Sequence, residues 1–183
     1  MTRDDATEVR IAGFGGQGVV LAGVLLGTAA LADGLFAVQS QSYGAEARGG
    51  AARSEVILSR VPILYPEVTS PCLMAAMSQA ALDRYVADLR PDGVLVVDAE
   101  LVTRVPPHLE ARTRRAAFTH VAGQELGKPV VANMVMLGFL ATVTQVVSWS
   151  SLEGAVAAGV PRGTEGLNLK AVARGRQLAG VDA

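Results

Sequence analysis

The 183-residue chain reads as an open α/β fold, a mostly parallel sheet with helices on both faces. Three observations predict it. Short apolar runs alternate with helix-length segments along the chain, the pattern of parallel strands joined by crossover helices. The first apolar run leads into a glycine cluster and then into a long segment rich in Ala and Leu, which reads as strand, turn and buried helix. Apolar residues make up 50% of the chain and charged residues 18%. A chain of this length and composition buries a real core and is not disordered. One domain is expected over 1–183, with its core at about 9–178 and a helical C-terminal part.

The elements follow in order. Val9 to Ala12 is the first strand, with Arg10 inside it, and Val19 to Ala32 is the first helix. Asp33-Gly34 ends that helix with turn chemistry, the glycine suiting a left-handed cap. Leu35 to Val38 is the second strand, Gln39 to Gly50 a polar loop, and Ala52 to Ser59 a strand that sets Arg53 and Glu55 on one face. Pro62 and Pro66 bracket a further loop. Cys72 to Met77 is a short buried strand and Gln79 to Leu89 an amphipathic helix. Pro91-Asp92-Gly93 turns the chain into a strand from Val94 to Val97 that ends at Asp98. Ala116 to Thr119 reads as a weaker strand, and Val121 to Leu126 as a helix that Gly127 and Pro129 stop. Two helical stretches, Ser151 to Ala158 and Glu165 to Leu178, close the chain.

Pro129 to Trp149 carries no charge over 21 residues, long enough to span a bilayer. Asn133, Thr142, Thr144 and Gln145 lie within it and no Lys/Arg cluster flanks it, as an oriented span requires. It reads as a helix buried in protein. The charged fraction lies below the roughly 25% usual for soluble domains, which fits a chain covered by partners. A net charge of −1 argues against a nucleic-acid backbone as ligand. The single cysteine, Cys72, excludes an internal disulfide and any zinc or iron–sulfur site built from this chain's cysteines alone. The polar, acidic segment from Met1 to Glu8 is not a secretory signal, so a reducing cytoplasm is the expected compartment.

Gly13-Phe14-Gly15-Gly16-Gln17-Gly18 matches G-x-G-x-x-G between a strand and a helix. The helix start points unpaired N–H groups and a positive dipole end outward, where a phosphate is the natural occupant. In a Rossmann-like dinucleotide site, a carboxylate about 20 residues on holds the ribose. Asp33 has that count but precedes the second strand, whose end carries Gln39 and Ser40. A phosphate-type ligand and a purely packing role for the glycines therefore stand beside each other, ahead of a nicotinamide or flavin. The segment Gln39 to Gly50 should line the same cleft, because ligands bind outside the carboxyl ends of parallel strands. Ser42 and Tyr43 offer hydroxyls, Glu46 orients, and Arg48 offers a fork of donors for phosphate or carboxylate. Gly49 and Gly50 close the segment.

GFGGQGVVLAG, SYGAEARGG and Asn133-Met134-Val135-Met136-Leu137-Gly138, in that order, resemble the gamma subunit of 2-oxoacid:ferredoxin oxidoreductases from about Ile11 to Gly175. The form of the first motif is closer to the 2-oxoglutarate and branched-chain 2-oxoacid types than to the pyruvate type. The family often has proline where Ala45 stands. The resemblance implies a part in converting a 2-oxoacid and coenzyme A to acyl-CoA and carbon dioxide, with two electrons passing to ferredoxin. It implies thiamine diphosphate, magnesium and iron–sulfur clusters on companion subunits: thiamine-binding alpha/beta-type chains and a ferredoxin-like chain. This chain would bind none of these cofactors alone. It would contribute to the coenzyme A side of the site and to assembly, with no catalytic residue of its own. The expected contacts to phosphate, coenzyme A or a neighbouring subunit are Gly13, Gly15, Gly16, Gln17, Gly18, Ser42, Tyr43, Glu46, Arg48, Gly49, Gly50 and Asn133. A polar Asn133 inside an apolar helix needs a partner, either a ligand or a nearby backbone loop. Two rivals remain at this level: a free-standing NAD(P)-binding oxidoreductase of Rossmann type and a purely structural assembly subunit.

The other polar residues carry plainer readings. Cys72 belongs to the core, and His120 to a cap or the surface. His108 is exposed, Asp98 either faces the cleft or caps the next element, and Arg112, Arg114 and Arg115 form a solvated face. Lys170, Arg174 and Arg176 on the last helix offer a face to a partner.

Overall fold

A computed structural model of the chain describes residues 6–43 and 51–180. The first half contains β1 (Ala6–Phe14), α1 (Val19–Ala32), β2 (Phe36–Tyr43), β3 (Ala51–Ser59), β4 (Leu73–Ala76) and α2 (Gln79–Tyr85). There follow β5 (Val94–Asp98), β6 (Thr113–Ala116), α3 (Phe118–His120), α4 (Ala132–Thr144), α5 (Trp149–Gly159) and α6 (Glu165–Leu178). The six strands lie in the order β2-β3-β1-β4-β5-β6. β4, β5 and β6 extend β1 in parallel. β3 alone runs the other way, inserted between β1 and β2. The expected mostly parallel sheet is therefore present, with one antiparallel strand at its heart.

Two cores sandwich the sheet. On one face α1, α4, α5 and α6 bury Ile11, Val56, Val96 and Phe118. On the other, α2 covers Ala12, Met74 and Leu95 with Leu82 and Tyr85. α1 is apolar nearly all round, as its sequence implied, because it lies between the sheet and α5. α4 and α6 approach closely. A Cβ added at Gly138 would run into the Val172 carbonyl group, whose carbon is 2.8 Å away, and one at Gly175 would lie 2.7 Å from the Phe139 nitrogen.

β1 is longer at both ends than the sequence reading, β4 shorter, and four further boundaries differ. β2 runs on to Tyr43, so Gln39 to Tyr43 is strand rather than loop, because β3 pairs with every residue of it. The strand expected at Ala116 to Thr119 lies earlier, as β6, and Phe118 already begins α3, which continues as a π-helical turn over Val121–Glu125. The helix from Gln79 tightens into a 3₁₀ turn at Val86–Asp88. The long apolar stretch divides at Gln145, the one non-glycine residue with positive φ among those described (51°), which caps α4. Among the described residues no helix is long and apolar enough to cross a membrane, and α4 is buried in protein from Ala132 to Ala141.

Candidate site at the glycine turn

β1 ends at Phe14, and the chain turns there through a Gln17 N–H to Phe14 carbonyl bond of 3.1 Å. Gly16 (φ 97°) and Gly18 (φ 69°) take up backbone conformations that other residues resist. Gly18 then serves as the N-cap of α1 without a side-chain cap, its carbonyl accepting from Ala22. This places the exposed backbone of Phe14 to Gly16 at the carboxyl end of the parallel strands, where an open sheet presents its ligand crevice.

The two amides in the neighbourhood hold this turn from within. Gln17 Oε1 accepts from the Phe14 N–H at 2.6 Å, and Gln17 Nε2 donates to the Met77 carbonyl at 3.0 Å. Its side chain thus bridges the ends of β1 and β4, the two strands at which the winding of the sheet reverses. Gly13 is confined by that bridge: an added Cβ would lie 2.5 Å from Gln17 Oε1 and 3.1 Å from Met77. Asn133, 3% exposed at the start of α4, donates from Nδ2 to the Gly18 carbonyl at 3.1 Å and accepts the Met134 N–H at 3.0 Å. A Cβ at Gly18 would run into the Asn133 amide. Of the two partners open to Asn133 from sequence, the structure shows the backbone loop. Beside the turn lies a cleft of about 330 Å³ lined by Gly16, Gln17, Leu101, Thr119, Val130 and Ala132. Of its lining, Val130 is 72% exposed.

The second predicted segment starts from the same end. Tyr43 pairs with Ala52, which pairs with Gly13, and Phe14 pairs with Ala51. The segment between Tyr43 and Ala51 therefore leaves and re-enters the sheet within two strand spacings of the glycine turn, on the order of 10 Å. Ser42 is exposed on β2. Glu46, Arg48, Gly49 and Gly50 lie outside the described residues.

The remaining candidates resolve into structural roles. Asp98 is buried, and its carboxylate accepts from the N–H groups of Glu100 (2.9 Å), Leu101 (3.2 Å) and Thr119 (2.8 Å) and from the Thr119 hydroxyl (2.7 Å), so it caps rather than faces the cleft. His120 is exposed, with Nδ1 3.0 Å from Glu100. Asp33, with the residue count of a ribose-binding carboxylate, instead accepts from the Ser148 N–H, the Ser148 hydroxyl and the Ser151 hydroxyl, each at 2.6 Å, fastening α1 to α5. Burial alone would raise its pKa, but those hydrogen bonds outweigh it and hold the carboxyl below its ordinary value. Cys72 stands half-buried just ahead of β4, and burial pushes its thiol pKa up. Arg174 pairs with Glu125 at 2.7 Å and Arg176 stacks over Trp149 at 4.6 Å, so these two tail cations are engaged within the chain. Arg115 pairs with Glu110 at 2.8 Å. No group of three or more His, Cys, Asp or Glu could hold a metal among the described residues.

Sequence reasoning passed over Arg10. Only 2% exposed in mid-strand, it donates to Glu55 at 2.8 Å, to Asp88 and to the Val68 carbonyl at 3.3 Å. A lone arginine inside an apolar run was the available signal, since a buried cation must find acceptors.

Residues 8–178 match the family described as pyruvate ferredoxin/flavodoxin oxidoreductase. The chain is 50% identical over 177 residues to the 2-oxoglutarate synthase subunit KorC of Methanothermobacter marburgensis, covering 93% of this chain and 95% of that protein. It is 48% identical over 174 residues to the corresponding KorC of Methanocaldococcus jannaschii, covering 94% and 93%. Among solved structures, the gamma subunit of a keto/oxoacid ferredoxin oxidoreductase from Geobacter sulfurreducens superposes with a TM-score of 0.84 at 43% identity, covering 94% of this chain and 98% of that one.

Proposed function

The chain belongs to the pyruvate ferredoxin/flavodoxin oxidoreductase family, and on that premise we propose that it is the gamma-type subunit of a cytoplasmic 2-oxoglutarate:ferredoxin oxidoreductase. The assembled enzyme would convert 2-oxoglutarate and coenzyme A to succinyl-CoA and carbon dioxide, passing two electrons to ferredoxin. The observation that carries the reading is the end-to-end identity of 48–50% to KorC subunits, which leaves little of either chain outside the match.

Thiamine diphosphate would supply the electron sink for decarboxylation and iron–sulfur clusters the path for electrons. With one cysteine in the chain and no metal-holding cluster among the described residues, this polypeptide does not fit an iron–sulfur group. Clusters, thiamine diphosphate and magnesium are assigned to thiamine-binding and ferredoxin-like companion subunits. This chain's own contribution is positional. Gln17 and Asn133 fix the glycine turn from behind, so that the backbone of Phe14 to Gly16 faces outward in one conformation toward coenzyme A or a neighbouring subunit. Arg48, Glu46, Gly49, Gly50, Ser42 and Tyr43 are proposed to complete that face. The engagement of Asp33 with α5 and of Gln39 with Ser54 at 2.8 Å leaves no ribose carboxylate at either position among the described residues, which disfavours the nicotinamide reading.

The test is co-expression with the companion subunits and assay of viologen reduction dependent on both 2-oxoglutarate and coenzyme A. Omission of this chain should abolish activity or assembly. Full activity without it, or saturable NAD binding by the chain, would overturn the reading. Pyruvate or a branched-chain 2-oxoacid outcompeting 2-oxoglutarate would overturn the substrate.

A further inference from the structure

On the face of the sheet away from α1, α2 lies chiefly over β1 and reaches β3 at its edge. Three guanidinium groups surround one aromatic ring there. The Arg10, Arg53 and Arg84 carbons stand 5.5, 5.3 and 5.4 Å from the centroid of Tyr85, which is buried. Each is held by the negative face of the ring, but their acceptors are unequal. Arg10 is saturated by Glu55, Asp88 and the Val68 carbonyl. Arg53 approaches Glu55 only at 3.7 Å, too long for a hydrogen bond. Its Nε is buried without an acceptor among the described residues, while 31% of the side chain remains open to solvent. Arg84 is exposed, and its contact among the described residues is the ring. Among the described residues three cations thus face two carboxylates, Glu55 and Asp88, and one positive charge is left over.

The neighbouring strand adds hydroxyls. Ser42 pairs with Arg53 and Ser40 with Glu55, and directly opposed residues of antiparallel strands project from the same face. A cation in the last turn of α2 suits the helix dipole, which accounts for Arg84. It does not account for the Arg53 donor without an acceptor, nor for a third cation at the same ring.

We propose that Arg53 and Arg84, with the Ser42 hydroxyl, form a phosphate-binding site on the open face of β2 and β3. An oxyanion there would accept from the planar forks of the two arginines and neutralise the excess charge. The site lies two residues inside the carboxyl end of β1, since Arg53 pairs with Ala12 and β1 ends at Phe14. It is therefore placed to take a phosphate group of a ligand whose other end reaches the glycine turn. The identity of that ligand as coenzyme A rests on the proposed function; the phosphate site itself does not.

Calorimetric titration of the full chain with inorganic pyrophosphate tests the site without reference to activity. Binding is expected to weaken roughly tenfold or more in R84A, an exposed substitution, and R84K should recover part of it because lysine keeps the charge and loses the fork. S42A should give a smaller loss in the same direction. In the assembled enzyme, R84A should raise the KM for coenzyme A by a similar factor and leave kcat unchanged. A weakened pyrophosphate titration with an unmoved KM would still support the site and assign it to a free phosphate. Pyrophosphate binding identical in the native chain, R84A and S42A, or absent from all three, overturns the site. A complex that binds pyrophosphate but does not turn over 2-oxoglutarate would remove the functional reading and leave the site standing.

Discussion

The Asn133–Gly18 contact offers the sharpest test of how the glycine turn is held. Replacing Asn133 by Ala leaves the buried Met134 N–H without its acceptor, while the Gly18 carbonyl keeps its bond from Ala22. An unsatisfied buried donor costs about 1–3 kcal/mol; with the lost side-chain packing, about 2–3 kcal/mol is expected for N133A. For a chain of this length each kcal/mol moves Tm by about 2–4 °C, so Tm should fall by roughly 4–12 °C. Gly18→Ala carries two penalties: a left-handed backbone at φ 69°, worth about 1–2 kcal/mol, and the collision with the Asn133 amide, worth about 1–3 kcal/mol as overpacking. In the double variant the collision partner is gone and only the backbone penalty remains. Urea unfolding of the four proteins should therefore return a coupling of about 1–3 kcal/mol in the sense that the double variant is more stable than the sum of the singles. Additivity to within about 0.5 kcal/mol would refute the claim that Asn133 packs over Gly18 and sets its side-chain limit.

Other expectations follow from the same geometry. Gly138→Ala should destabilise by about 2 kcal/mol or more, because the added methyl meets the Val172 backbone of α6, which yields less readily than a side chain. Gly154→Ala, in α5 with open space around it, should instead stabilise by about 0.5–1 kcal/mol, and thermal unfolding distinguishes the two. The carboxyl of Asp33 is held below its ordinary value, so its contribution is present above the unfolded pKa of about 4 and is lost as pH falls through the lower folded value. The Tm difference between native protein and D33N should be constant above about pH 5 and shrink below about pH 4. Burial and the resulting high pKa of Cys72 should make its alkylation by iodoacetamide slower than that of a free thiol at pH 7, with the rate rising as pH approaches 9 and beyond.

Elements whose cause is local were legible. The β1–turn–α1 unit was readable because glycine spacing and the apolar run after it are written in consecutive residues, and the burial of Asn133 because an amide within a long apolar stretch must find a partner. The extension of β2 to Tyr43 was not legible. Gln39, Ser40, Gln41 and Ser42 have loop chemistry, and what makes them strand is the register with β3, a tertiary fact. The break at Gln145 was hidden because no glycine or proline marks it; the left-handed residue closes α4 by donating its N–H to the Ala141 carbonyl at 2.8 Å. The partners of Gln17 lie three residues away in one case and sixty in the other, so its motif position was visible but its role as a bridge between β1 and β4 was not. The Tyr85 cluster draws arginines from three separate elements, and no local pattern announces it.

The hydrogen bond from Asn133 to Gly18 spans 115 residues, as does that from Ser148 to Asp33. As the polypeptide emerges from the ribosome, the glycine turn and the end of α1 therefore each wait for 115 further residues before receiving these tethers. Until Asn133 and Ser148 have been synthesised, the glycine turn and the end of α1 lack these two bonds, so a nascent product cut short of them would hold that end of the sheet less firmly.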